Sequence, residues 1–83
     1  MKAPYKKAFQ ALQALHVPMY LRDDTKAGFI ISAEEPTSYQ WADYYSRRDD
    51  WNFGVNPRLD AELRRFGLFC EWMNPGELHI YQL

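Results

Sequence analysis

A chain of 83 residues has room for one hydrophobic core, so residues 1–83 are expected to form a single domain. Hydrophobic residues make up 47% and charged residues 25%, which suits a folded chain rather than a disordered one, and a formal charge of −1 excludes a whole-chain field that would draw the protein to nucleic acid or acidic lipid. Cys70 is the one cysteine, which excludes an intrachain disulfide framework and a four-cysteine zinc site, and the apolar runs are too short for a membrane span or a signal-peptide core, so a cytoplasmic location is expected.

Residues 4–16 carry a helical stripe. Tyr5, Ala8, Phe9, Leu12, Leu15 and His16 fall on one face, with Lys6, Lys7, Gln10 and Gln13 on the other. Pro4 suits the first turn, and Pro18 ends the helix near His16 because the residue before a proline is pushed out of the α region. The period then changes. Met19–Arg22 and Phe29–Ser32 are rich in strand-favouring residues and flank the polar loop Asp23–Gly28, a pattern that predicts a β-hairpin.

Residues 39–55 have no single period. Tyr39–Tyr45 reads as a short helix capped by Thr37 or Ser38, or as a strand, and Arg47-Arg48-Asp49-Asp50 is a self-compensating charge run. Two further rings follow in Trp51-Asn52-Phe53-Gly54. A long irregular stretch in a small domain is either a functional loop packed by its own side chains or an aromatic-anchored crossover.

The next helix is marked at both ends. Asn56 is a natural N-cap and Pro57 a natural first residue; Leu59, Leu63 and Phe66 form the apolar stripe. Gly67 is placed to end the helix in a Schellman motif, with Leu68 reaching back to Leu63. The tail predicts a second hairpin, Leu68–Met73 and Leu78–Leu83, around Asn74-Pro75-Gly76-Glu77, where proline and glycine suit a type II turn. With Met73 opposite Leu78, one face carries Leu68, Cys70, Trp72, His79, Tyr81 and Leu83, and the other Phe69, Glu71, Met73, Leu78, Ile80 and Gln82.

The predicted architecture is α+β in the order α-β-β-α-β-β: a mainly antiparallel four-stranded sheet with two helices packed on one face. Both faces of the last hairpin hold large apolar residues in this register. Either residues 39–55 fold over the second face, or that face meets a partner.

Catalytic and metal chemistry find little support. Cys70 and His79 come out diagonal on one face, but Trp72 and Tyr81 make the surroundings apolar and disfavour a thiolate. His16, His79 and Cys70 have no metal-ligand spacing, and the acidic doublets lack a calcium-loop pattern. No cofactor cradle is present, so no catalytic, metal or cofactor residue is assigned and an enzyme is not expected.

The function class that the residues favour is protein–protein interaction. Five phenylalanines, three tryptophans and six tyrosines are more ring surface than a core of this size is expected to hide. Trp41, Tyr44, Tyr45 and Trp51 surround Arg47 and Arg48, a composition typical of interface hot spots. A homodimer through the uncovered sheet face, or by edge pairing, is another form such an interaction could take. The alternative is nucleic-acid binding by Lys2, Lys6 and Lys7 with the Arg47-Arg48 aromatic loop, opposed by Asp43, Asp49 and Asp50 among the same arginines.

The stretch from Asp43 to Leu83, with Asp43-Tyr44-Tyr45, Phe53-Gly54-Val55-Asn56-Pro57, Gly67-Leu68-Phe69 and Trp72-Met73-Asn74-Pro75-Gly76, resembles small uncharacterised proteins carried by bacterial phages, plasmids and integrated mobile elements. The resemblance covers about half of the chain. It implies an accessory protein that partners or inhibits host machinery, including defence complexes, and it assigns no functional residue.

Overall fold

The first helix forms where the stripe predicts it. In the computed structural model, which describes all residues from Met1 to Leu83, α1 runs Ala3–Ala14 and buries Tyr5, Ala8 and Leu12. Its end differs from the simple stop at Pro18. The Val17 N–H donates to Leu12 O (3.1 Å) and the His16 N–H to Gln13 O (3.0 Å), the paired bonds of a Schellman ending. His16 therefore occupies the left-handed position at φ 61°, where glycine is usual, and its side chain is exposed rather than on the apolar face. The buried Val17 seals the turn.

The strands are β1 (Met19–Leu21), β2 (Phe29–Ser32), β3 (Leu68–Asn74) and β4 (Glu77–Gln82), ordered β1-β2-β4-β3 and antiparallel throughout. Asn56 caps α2 (Pro57–Arg64) as expected, its side chain accepting from the Arg58 N–H. Gly67 takes φ 74°, but this helix unwinds through Phe66 N–H to Leu63 O and Gly67 N–H to Arg64 O rather than through a Schellman pair. The α+β order and the single helical layer agree with the sequence reading. Tyr5, Ala8 and Leu12 of α1 join Leu59 and Leu63 of α2 over Phe29, Ile31, Leu68, Leu78 and Ile80 in one core. Phe9 closes its edge with a T-shaped contact to Phe29, centroids 5.1 Å apart.

The register of the last hairpin corrects the sequence reading. Trp72, not Met73, lies opposite Leu78, and the register shifts between Trp72 and Asn74 so that Met73 is bulged out. Gly76 lies outside the left-handed region that a type II turn requires at that position; its N–H is instead accepted by the Asn74 side chain (2.8 Å). The one-residue slip moves every β4 side chain to the other face relative to β3. Leu68, Cys70, Trp72, Leu78 and Ile80 now all face the helices, and Cys70 and His79 lie on opposite faces. Burial selects this register, because only here do the apolar sets of both strands meet one core.

Two rows across all four strands show the division. Met19, Ile31, Leu78 and Trp72 form the helix-side row; Tyr20, Ile30, His79 and Glu71 form the open-side row. Residues 39–55 do not cover the open face. After a short 3-10 turn at Ser38–Gln40, Trp41, Ala42 and Val55 enter the same core as the helices.

The left-handed His16 generates a stability prediction. Histidine at that φ costs about 1–2 kcal/mol, part of which glycine would give back through its freer unfolded chain. His16→Gly should raise the unfolding free energy by about 0.5–1 kcal/mol in urea titrations, whereas His16→Ala should give no comparable gain.

Candidate functional site

The loop between Trp41 and Val55 is built on a small set of fixed contacts. Asn56 bridges its two ends, with its backbone N–H donating to Trp41 O and its side-chain amide to Gln40 O, both at 2.9 Å. Ala42 pairs with Val55, and the Asp43 N–H donates to Gly54 O (2.8 Å). Asn52 and Val55 exchange both backbone bonds (3.0 and 2.9 Å) around Phe53 at φ 51° and Gly54 at φ 83°. Two consecutive positive φ values in a two-residue connection define a type I′ turn, where Asn-Gly is the favoured pair. Gly54 is required for a second reason: a Cβ there would fall on the Asp43 carbonyl.

Phe53 breaks the local rule. A phenylalanine in the left-handed region is strained, and its ring gains nothing from burial, being 94% exposed. The turn is nevertheless held from below, because the Trp72 Nε1–H donates to Phe53 O at 2.7 Å. Trp72 also receives Tyr44 edge-on, with centroids 5.3 Å apart at 87°, and Tyr44 meets Tyr45 in the same manner at 5.2 Å. Tyr44 and Tyr45 are 47% and 74% exposed. The result is an aromatic ridge, Tyr45–Tyr44–Trp72–Phe53. A depression of ≈ 540 Å³ lies among Tyr44, Ser46, Phe53 and Trp72, and a second of ≈ 430 Å³ lies beyond Phe53 and Trp72 toward Val55, Asp60, Arg64 and Cys70.

The expected site residues divide accordingly. Tyr44 and Tyr45 are at the surface and touch each other. Trp41 is withdrawn into the core, with the Arg58 guanidinium 5.7 Å from its ring, so it is not free to enter a partner. Trp51 is half-buried under Arg48, whose guanidinium lies 5.0 Å from the ring and is bonded to both Asp50 carboxylate oxygens at 3.1 and 3.0 Å. That hydrogen-bonded pair raises the Arg48 pKa and lowers that of Asp50. Arg47 is exposed and has no ion-pair partner. Phe53 and Trp72 belong to the ridge but are not among the expected site residues. Gly54 is the only local hint of a turn there, because phenylalanine is disfavoured at the first turn position and no alternating strands flank the pair to mark a hairpin.

The open sheet face is chemically different. Arg22 sits beside Gly28, whereas Glu77 pairs with Ser32 four residues along β2, about 13 Å away at the rise of a strand. Their contact, Nη1 to Oε1 at 3.5 Å, therefore lays the arginine side chain along the face over Ile30 and His79. Ile30 and His79 are only 3% and 9% exposed, and Asp24, Thr25 and Lys26 of the loop before β2 border a depression with Met73, His79 and Tyr81, so that loop and the arginine both lie against this face. Glu77 also accepts from His79 Nε2 (3.0 Å), and Arg22 donates to Asp24 (3.2 Å). The hydrogen bond from His79, aided by the Arg22 charge, holds Glu77 below the ordinary carboxylate range.

No group of three His, Cys, Asp or Glu side chains is placed to hold a metal ion, and no helix is long and apolar enough to cross a membrane. Burial, reinforced by the Asp60 charge, pushes the Cys70 thiol from an ordinary 9.0 up to about 12. The chain matches no protein-family model, no curated protein and no solved structure.

Two measurements follow from these groups. A rise from 9.0 to about 12 lowers the thiolate fraction at neutral pH about a thousandfold, and the greater nucleophilicity of a more basic thiolate returns a little over one order of magnitude. Native Cys70 should thus react with an aromatic disulfide reagent about fiftyfold more slowly than the urea-unfolded chain does. The second concerns acid. Because the Glu77 pKa is lowered on folding, its contribution is present above the ordinary 4.5 and is lost as pH falls through the lower folded-state value. The stability difference between wild type and Glu77→Gln, read from urea midpoints, should be largest near neutrality and shrink toward zero well below that pH.

Proposed function

We propose that this chain is a small, non-enzymatic protein-interaction module that docks a partner protein through the ridge of Tyr44, Tyr45 and Phe53 braced by Trp72. Exposed Arg47 meets a partner carboxylate at the rim. The observation that supports this most strongly is Phe53, a fully exposed aromatic ring held in a strained backbone position. Stability alone would favour asparagine or glycine there, so the ring is explained by what it touches outside the chain. Tyrosine, tryptophan and arginine are the side chains that dominate interface energies, and depressions on both sides of Phe53 suit interdigitation. The reading extends to a cytoplasmic accessory protein of a mobile element that occludes a host complex, in keeping with the resemblance of its C-terminal half to phage and plasmid proteins.

The nucleic-acid alternative is weakened by the Arg48–Asp50 pair, which neutralises one of the two loop arginines. Stability and binding should move in opposite directions in the decisive variant. Phe53→Asn should leave the fold intact and raise its unfolding free energy by about 0.5 kcal/mol, because asparagine tolerates the left-handed turn. The same change should weaken capture of the host partner by thirtyfold or more, the scale of an interface hot spot of about 2 kcal/mol. Undiminished capture by Phe53→Asn and by Tyr44→Ala/Tyr45→Ala would count against the ridge. Retention on DNA or RNA that falls steeply with salt would favour the alternative.

A further inference from the structure

The sheet ends in two edges of unequal length. β1 offers three residues, whereas β3 offers seven, Leu68–Asn74. The Leu83 N–H bonds Gly67 O at 2.9 Å, which marks Gly67 and Leu83 as a hydrogen-bonded pair. By the alternation of an antiparallel ladder, Phe69 and Glu71 then direct their backbone groups to Tyr81 and His79, while Leu68, Cys70 and Trp72 direct theirs outward. No hydrogen bond outside the ladder reaches the backbone of Leu68–Met73. The outward N–H and C=O groups of Cys70 and Trp72 are a template for another extended backbone.

The side chains beside that edge specify what such a backbone would carry. Residues opposite Cys70 and Trp72 would point to the helix side, into the ≈ 430 Å³ depression lined by Val55, Phe53, Cys70 and Trp72, with the Asp60–Arg64 pair at its margin. For a strand added antiparallel, the residue opposite Glu71 would point to the open side, in a non-hydrogen-bonded pair where side chains come closest. Glu71 is exposed and has no ion-pair partner. It disfavours a second copy paired about its own position, because two Glu71 carboxylates would face each other.

We infer that the β3 edge binds an extended partner segment as a fifth strand, with the pattern apolar–basic–apolar opposite Cys70, Glu71 and Trp72. This rests on the protein-partner reading and deepens it, since the ridge and the edge share Phe53 and Trp72. The recognition is β-augmentation: main-chain bonds supply affinity, and alternate side chains supply specificity.

The test uses the whole chain, isotope-labelled for NMR, and two synthetic peptides, acetyl-Thr-Val-Lys-Val-Thr-amide and its counterpart with glutamate for lysine. Amide shifts should concentrate at Cys70, Glu71 and Trp72, and the lysine peptide should bind about five- to tenfold more tightly than the glutamate peptide. Glu71→Lys, a surface change that keeps the fold, should reverse the order. Shifts confined to the open face, no lysine preference, or no binding at millimolar peptide would overturn the proposal. Concentration-dependent shifts of the same amides without peptide, with a dimer mass in ultracentrifugation, would overturn it in favour of a second copy. A partner whose capture is lost in Phe53→Asn but unchanged in Glu71→Lys would leave the ridge standing and remove the edge.

Discussion

The one-residue bulge at Met73 is the constraint on which the arrangement depends. It sets Trp72 opposite Leu78 and so places the apolar residues of β3 and β4 on the same side of the sheet. Without the slip, Leu78 and Ile80 would face water while His79 and Tyr81 faced the helices. Leu78 and Ile80 are almost fully buried, so the wrong register would forfeit about 1.5–3 kcal/mol for each. The geometry of a short Pro75-Gly76 connection, which does not take the type II form, is absorbed in that bulge.

From the same register comes the site. Trp72 reaches the helix side at the sheet edge, where its indole N–H finds Phe53 O and its ring receives Tyr44. A loop of fifteen or so residues without regular structure is ordinarily mobile. Here it is tied at its base by Asn56, at its middle by the Asp43–Gly54 bond and at its tip by Trp72. These contacts allow a strained turn to present an aromatic ring, since the surroundings hold the backbone where the ring's own preference would not. The aromatic surplus is therefore divided. Trp41 fills the core, Trp51 lies beneath Arg48, and Tyr44, Tyr45 and Phe53 remain outside at the ridge, as do Tyr20 and Tyr39 elsewhere.

The open face and the β3 edge show two ways of managing exposed strands. On the open face the long side chain of Arg22, anchored at Glu77 and Asp24, crosses the row of Ile30 and His79, and the Phe69–Tyr81 ring pair lies beside it, so a face without a helical layer is part charged and part aromatic. The β3 edge is guarded only by Glu71 and the bulge. A single carboxylate in mid-strand disfavours pairing with its own copy about that position and is complementary to a basic residue.

Local signals in the chain determined both helices, the cap at Asn56, both hairpins and the α+β order, because helical periodicity, proline positions and capping chemistry act over a few residues. Tyr44 and Tyr45 were legible as surface candidates for a similar reason, lying beside a charge run in a stretch without period. The hairpin register, the burial of Trp41 and the part played by Phe53 were decided by tertiary structure. A register differing by one residue preserves every local propensity and changes only which side chains meet the distant helices. The Phe53 turn likewise depends on Asp43 and Trp72, which lie ten and nineteen positions away in sequence, and no local pattern records a contact with a residue that folding alone brings near.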